Sequence, residues 1–185
     1  FMALEQPADG PLSALVGSER PAFARTDYLT RFGFIADAKG PHNPLGLPIG
    51  FSTTEAQAID GIDGTHTALG FTCAACHTGQ LVYGTHRYIV EGGPAVTDLG
   101  RLTEALAAAL GQTILSAKVP LAHARFDRFA TRVLGANDSP EARRALAAQL
   151  DGLAAHLKQI TVIPTVTEGF GLLDALNRIG NEVFA

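Results

Sequence analysis

Cys73-Ala74-Ala75-Cys76-His77 is the stretch on which the interpretation of this sequence depends. It contains the two cysteines of the chain, three positions apart, and a histidine follows them directly. This spacing is the attachment signature of a c-type haem. Two intervening residues place both sulfur atoms on one side of a single turn, where they can form thioethers with one porphyrin. The histidine is then carried under the ring as the fifth ligand of the iron. The sequence therefore predicts one covalently bound haem c.

Three other roles fit a close cysteine pair less well. A thioredoxin-type redox pair would lie where a strand leads into a helix of a βαβ unit, and the surrounding pattern indicates no such unit. A structural zinc site needs four ligands, so Cys73, Cys76 and His77 would leave at least one to be supplied from elsewhere. A disulfide between such close cysteines closes too small a loop to constrain the unfolded chain much. We therefore favour haem.

Composition narrows the class of protein. The chain has 185 residues, of which 46% are hydrophobic and 17% charged, and this favours one domain with a sizeable core. A net charge of -4 without a basic run argues against nucleic acid as a partner. Apolar stretches such as 105–110 are shorter than the roughly 20 residues of a membrane helix, so no membrane span is predicted.

The expected compartment follows from the chemistry of attachment. Residue 1 is Phe, and no basic, apolar leader precedes it, so an export signal is expected to have been removed or the chain to be a processed piece. Covalent haem attachment requires cysteines and export machinery to meet, which in a bacterium happens in the periplasm. We therefore predict a periplasmic protein.

Outward from the motif, the sequence predicts a mostly α fold with one small β-hairpin. Residues 1–50 form a proline-punctuated, loop-rich N-terminal strap with a helical segment over 26–34, and 51–185 form the haem-binding core of the same domain. Residues 53–79 are expected to be turns or a short helix. The apolar triplets within 80–91, separated by a glycine-containing loop, predict the hairpin.

The chain after the hairpin is predicted to be helical. Three apolar stripes recur at spacings of three and four: Leu99, Leu102, Leu106 and Leu110; Ala122, Phe126, Phe129 and Val133; Leu146, Leu150, Leu153 and Leu157. Ser139, Pro140 and Glu141 mark the start of the third helix, since they suit a cap, a first turn and the positive end of the helix dipole. A fourth helix is predicted over 172–184.

The sixth ligand of the iron is left open by the sequence. An electron-carrier cytochrome c uses a methionine downstream of the motif, whereas the methionine of this chain is Met2, in a terminus expected to be loose. The iron is therefore predicted to be bis-histidine or open on one face. The remaining histidines are His42, His66, His86, His123 and His156. Of these, His123, on the flank of its helix, and His42, in a loop, are the candidate distal ligands.

Charged residues near apolar ones supply further candidates. Arg87 and Arg178 each lie beside apolar residues and are candidates to bind the haem propionates. Glu91 and Asp98 flank Gly92-Gly93-Pro94. Either a carboxylate here shuttles protons beside an open iron, or both residues cap the helix that starts near Asp98.

Short blocks on both sides of the motif extend the pattern. They are Leu47–Phe51, Phe71–Gly79, Glu91–Ala95, Arg128–Ala130 with Val133–Gly135, and Gly171–Asn181. Together they resemble the N-terminal half of large bacterial di-haem c proteins. That group includes, or lies near, the rubber-oxygenase-like proteins, which are related to the di-haem cytochrome c peroxidases.

The resemblance implies a class I cytochrome c-like haem core enlarged by long loops. It implies an oxidoreductase in which one haem activates dioxygen or peroxide and a second haem transfers electrons. It assigns haem attachment to Cys73 and Cys76 and iron ligation to His77, and it assigns no sixth ligand. Such proteins carry a second motif in a C-terminal half, so we expect a second haem domain or a redox partner protein. The alternatives are an electron-transfer module with bis-histidine haem and a gas-binding sensor.

Overall fold

The computed structural model describes residues 1–10, 18–56, 66–119 and 122–160, with the side chains of 56, 66 and 156–160 left out. The helix predicted over 172–184, the role of Arg178 within it and the block Gly171–Asn181 lie outside the described residues. The same holds for the side chains of His66 and His156.

The described elements follow one another in this order: α1 (Thr26–Leu29), β1 (Phe51–Ala56), β2 (His66–Phe71), β3 (Thr78–Tyr83), β4 (His86–Glu91), α2 (Leu99–Lys118), α3 (Ala124–Leu134) and α4 (Pro140–Ile160). Three 3₁₀ turns accompany them, at Thr30–Phe32, Cys73–Ala75 and Gly135–Asn137. The first sheet pairs β1 with β2, and the second pairs β3 with β4. No helix in the described ranges combines the length and the apolar character that crossing a membrane requires.

The chain divides into two compact units. The motif unit comprises Arg25–Thr54 and Thr67–Thr103. The helical unit comprises Phe1–Ala24, Glu55–His66 and the chain from Glu104 as far as it is described. The segment predicted as one strap thus contributes to both units, because its first half pairs with helices and its second half packs around the motif.

Three of the four predicted helices are confirmed, as α2, α3 and α4. Leu102 and Leu110 are buried in α2, and Leu146 and Leu150 are buried in α4. The Ser139 hydroxyl caps α4 by accepting a hydrogen bond of 3.2 Å from the amide of residue 142. The predicted segment over 26–34 is a single turn of α-helix continued by a 3₁₀ turn.

The stripe of α3 was predicted wrongly at one end. Phe126 and Phe129 are buried as expected, but Val133 is 47% exposed. Instead Arg125 is buried, because the N-terminal segment packs over this part of the helix and supplies acceptors for its guanidinium. An arginine at such a position cannot be distinguished from a solvated one by periodicity alone.

Ion pairs anchor the N-terminal segment to α3, contrary to the expectation of a loose terminus. Glu5 is buried, and its carboxylate accepts two hydrogen bonds from Arg128, of 2.6 and 2.9 Å, and one from Arg132, of 3.3 Å. Arg125 donates to the backbone carbonyl of Glu5 at 2.7 Å and to Thr113 Oγ1 at 3.1 Å. Met2 is exposed in this unit.

Burial alone would raise the pKa of the Glu5 carboxyl. Hydrogen bonds from Arg128 and from the Arg20 amide, together with the neighbouring guanidinium charges, more than offset this, so the pKa is lowered. The carboxylate is therefore ionised in the folded protein, and the anchor is an ion-paired cluster.

The described residues contain the predicted hairpin and one sheet that was not predicted. The hairpin is confirmed as β3 and β4, antiparallel, with Leu81 opposite Tyr88 and Tyr83 opposite His86. The first sheet was missed, since residues 53–79 were expected to form turns or a short helix. The β pattern of 51–56 and 66–71 was not recognised, because glycines lie on both sides of the motif.

Candidate functional site

The motif lies on a 3₁₀ turn between two strands. Cys73–Ala75 form the turn, directly after β2 and before β3. The carbonyl of Cys73 accepts hydrogen bonds from the amides of Cys76, at 3.2 Å, and His77, at 2.8 Å. The backbone therefore folds back on itself within five residues. Cys73 is exposed, and Cys76 and His77 are half-buried.

Gly50 holds the turn from one side. Its carbonyl accepts a hydrogen bond of 2.8 Å from the amide of Thr72 and one of 3.3 Å from the Thr72 hydroxyl. A Cβ at Gly50 would lie only 2.2 Å from the amide nitrogen of Ala75, and the residue adopts a φ of 91°. Both its conformation and its contact therefore require glycine. The side chain of Ala75 is buried in the same region.

The chain after the hairpin holds the turn from the other side. The amide of Gly92 donates to the His77 carbonyl at 2.8 Å, and the amide of Ala95 donates to the Cys76 carbonyl at 3.1 Å. The buried hydroxyl of Thr97 donates to the Ala75 carbonyl at 3.2 Å. Three successive carbonyls of the motif are thus satisfied by one segment, which fixes the backbone that carries His77.

A pocket of about 370 Å³ opens beside the motif. Its lining residues are Ile49, Cys73, Ala74, His77, Thr78, Ile89, Glu91 and Gly92. The first cysteine and the histidine of the motif therefore share one concave surface with two isoleucines and one carboxylate. Volumes of this order are typical of small-molecule and cofactor sites.

The hairpin supplies one wall of this pocket. Successive side chains of a strand point to opposite faces, so Ile89 and Glu91 on β4 share a face with Arg87. Arg87, predicted to bind a propionate, lies on this pocket face but outside the pocket lining, and it donates to the carbonyl of Ala36 at 2.8 Å. Its propionate role stays a prediction.

Three phenylalanine rings pack together beside the turn that carries the motif. Phe34 stacks on Phe71 with ring centroids 5.8 Å apart, and Phe51 contacts both rings at 4.8 and 4.9 Å. Phe51 follows Gly50, and Phe71 lies two residues before Cys73. The cluster therefore joins the two segments that meet at the turn, although Phe71 is still 51% exposed.

The candidate distal histidines do not line the pocket. His42 is exposed in the motif unit, and His123 is exposed at the start of α3 in the helical unit. His86 is on the opposite face of the hairpin from Ile89, by the alternation of β4. In the part of the chain whose side chains are described, His77 is the one histidine of the pocket lining.

Glu91 and Asp98, paired in the sequence as possible caps, have different positions. Asp98 is buried, and its carboxylate accepts a hydrogen bond of 2.9 Å from the amide of Arg101, which caps α2. Glu91 instead lines the pocket. Asp98 therefore caps a helix, whereas Glu91 belongs to the pocket lining.

The structure bears on the three alternatives to haem. Within the described ranges, no three His, Cys, Asp or Glu side chains form a group that could hold a metal ion, as a zinc site would need. The motif leads into β3 rather than into a helix of a βαβ unit. Cys73 and Cys76 are not joined in a disulfide.

Sequence reasoning missed the residues that hold the turn. Gly50 and Thr97 were not singled out, although the blocks Leu47–Phe51 and Glu91–Ala95 pointed to the segments around them. Glu5 and Arg125 in the helical unit were missed as well. A glycine or a buried hydroxyl carries no signal in one sequence until its partner in space is known.

Comparison with known proteins finds a relative whose alignment spans almost the whole of this chain. No protein-family model matches the chain. It is 41% identical over 199 residues to "Uncharacterized protein y4iJ" of Sinorhizobium fredii, in an alignment that covers 99% of this chain and 30% of that protein. The chain thus spans less than a third of the length of this relative. No solved structure matches.

Proposed function

We propose that this chain is a periplasmic haem c domain of an oxidoreductase that activates dioxygen or peroxide. The observation that carries the proposal is the arrangement of Cys73 and His77 on one concave surface, with Ile49 and Ile89 as its apolar walls. Thioether formation by Cys73 and Cys76 and iron ligation by His77 are the roles proposed for the motif.

The residues present suit a porphyrin better than a small ion. A porphyrin needs a single protein ligand on the proximal side and a broad apolar surface. The motif unit offers one histidine in the pocket and exposed apolar side chains around it, including Phe71 and Ile89. A bare metal ion would instead need several ligands close together, and the described residues supply no such group.

The reaction class depends on what surrounds the iron. When bound, haem c supplies an iron that changes oxidation state and can bind small oxidants. His77 is the histidine of the described pocket lining and the proposed proximal ligand, and we propose that the sixth position on the other side of the ring is open. Glu91 lines the same pocket, and we assign the proton transfer of the proposed reaction to its carboxylate. Electrons would come from a second haem domain or a redox partner protein.

Covalent attachment is the first test. The chain, exported to a bacterial periplasm together with the haem attachment machinery, should retain one haem after denaturation, measured by mass and by the absorption of its pyridine adduct. Changing both Cys73 and Cys76 to Ser should abolish this retention, whereas Cys73→Ser alone should leave at most one thioether. Two alkylatable thiols in the matured wild-type protein would contradict the proposal.

The sixth position is the second test. The reduced protein is expected to bind carbon monoxide promptly, because no protein ligand has to be displaced first. The measurement is a carbon monoxide difference spectrum of the wild type and of alanine variants at His42, His66, His86, His123 and His156. An inert wild type with one reactive variant would identify a distal histidine and favour the electron-transfer alternative.

A further inference from the structure

The face of the β3–β4 hairpin that points away from the pocket is apolar and uncovered by the described residues. By the register of the two strands, it carries Leu81, Tyr83, His86, Tyr88 and Val90, which we call the outer face. Tyr83 is 80% exposed and Leu81 is 64% exposed, and the other three are exposed as well. Isolated two-stranded hairpins are at best marginally stable in water, so such a face favours a partner.

The proposed cofactor does not account for this exposure. The pocket borders the other face of the hairpin, through Ile89 and Glu91. A group bound there would cover the pocket face and leave Leu81 and Tyr83 in water. The outer face therefore needs an occupant of its own, and the argument for that occupant does not depend on the proposed function.

Charge distinguishes the two faces. The outer face has no Asp, Glu, Lys or Arg, whereas the pocket face carries Arg87 and Glu91. In a two-fold symmetric contact the same patch is used on both copies, and a charged residue close to the axis would meet its own copy as a like charge. A face without Asp, Glu, Lys or Arg avoids this repulsion between carboxylates or between basic side chains, although the chain as a whole carries a charge of -4.

We propose that the outer face is a self-association surface, and that its occupant is the outer face of a second copy of this chain. The exposed parts of its five side chains amount to roughly 500 Å² per copy, if a side chain of this size has about 150–250 Å² to bury. Two copies would bury roughly 1,000 Å², which is at the lower limit for a specific interface. The proposal is therefore a weak, reversible dimer in which tyrosines supply most of the contact.

Two neighbouring residues of β3 provide a matched test. Leu81 is 64% exposed on the outer face, and Val82 is 67% exposed on the pocket face, opposite Arg87. Sedimentation velocity of the matured full chain over roughly a hundredfold concentration range should show a monomer–dimer equilibrium. L81E should weaken dimerisation at least about tenfold, a change of about 1.4 kcal/mol. V82E should leave it within about twofold of the wild type.

Folding must be checked in the same samples. Circular dichroism and the haem spectrum should be unchanged in L81E, and Tyr88→Ser offers a second, milder variant on the same face that should also weaken the dimer. Hydrogen exchange of 81–90 should slow as the protein concentration rises. A wild type that stays monomeric at every concentration would overturn the proposal. This holds whether hydrogen exchange then shows the outer face protected by another part of the chain or unprotected. Equal disruption by L81E and V82E would overturn it too.

Discussion

The two units of this chain reach stability by different means. In the helical unit, a buried carboxylate and its arginines fasten the N-terminal segment to α3, and few large apolar residues are left in water. In the motif unit, backbone hydrogen bonds and glycine contacts hold one turn, and the surrounding apolar surface remains open. Of the twelve large hydrophobic residues that are exposed in the described ranges, nine belong to the motif unit.

Among the described residues, apolar side chains are thus mostly buried in the helical unit and often exposed in the motif unit. A unit that fixes a backbone turn accurately but leaves apolar side chains exposed is arranged to receive something. The haem and the second copy proposed above are two components that would complete it, on opposite faces of one hairpin.

Removing the buried charge should break the helical unit most severely. Glu5→Ala leaves Arg125 and Arg128 without their carboxylate, and losing one partner of a buried ion pair costs about 3–5 kcal/mol. Urea unfolding followed by circular dichroism measures the loss. Glu19→Ala is the matched control, because Glu19 pairs with Arg132 at an exposed position, where an ion pair contributes about 1 kcal/mol or less. Equal losses in both variants would refute the assignment of Glu5 as the anchor.

A single methyl group should disrupt the motif unit by a comparable amount. Gly50→Ala places a Cβ against the backbone of Ala75 at a strained φ, with an expected cost of about 2–4 kcal/mol. Haem incorporation and urea unfolding report the effect. Gly111→Ala lies inside α2 of the helical unit with open space around its Cβ, and it should stabilise by about 0.5–1 kcal/mol. A harmless Gly50→Ala would show that the turn is not held as described.

The hydroxyl that reaches the motif should matter less than the glycine. Thr97→Val keeps the shape of the side chain but leaves the Ala75 carbonyl without this donor, at an expected cost of about 1–2 kcal/mol. Thr97→Ser retains the donor and should recover most of the loss. Thermal unfolding of both variants is the measurement. If Ser and Val behave alike, the methyl group rather than the hydrogen bond stabilises the turn.

The smallest expected effect is on the acid sensitivity of the helical unit. The pKa of Glu5 is lowered in the folded state, so its contribution is present above the unfolded pKa and is lost as the pH falls through the folded one. Stability of the wild type should therefore fall below about pH 4, and Glu5→Gln should show a flatter profile there. Urea unfolding at a series of pH values tests this. Parallel profiles in both proteins would contradict it.

Periodic apolar residues made the helices predictable, and alternation within 80–91 made the hairpin predictable. Leu102, Leu110, Leu146 and Leu150 are buried because a stripe at spacings of three and four has one face to bury. The motif itself was also evident, since adjacent residues define it. These features share one property: the signal and the structure are both local in the chain.

The features that were not predictable depend on contacts between distant positions. Glu5 meets Arg128 across 123 residues, and Thr97 meets Ala75 across 22. The division into two units was hidden for the same reason, because each unit is assembled from separate stretches of chain. A sixth ligand for the proposed iron would belong to this class too, so neither spacing nor residue type could identify one.

The hydrogen bond from the Gly92 amide to the His77 carbonyl joins the two ends of the hairpin at its base. Residues 78–91 therefore form a loop whose two ends meet at this hydrogen bond. The chain reverses direction at Gly84, which has a φ of 59°. A loop closed at its base can change in length at its tip without moving the base. Related chains are therefore expected to differ by insertions or deletions around Gly84 and Thr85 rather than beside the cysteines.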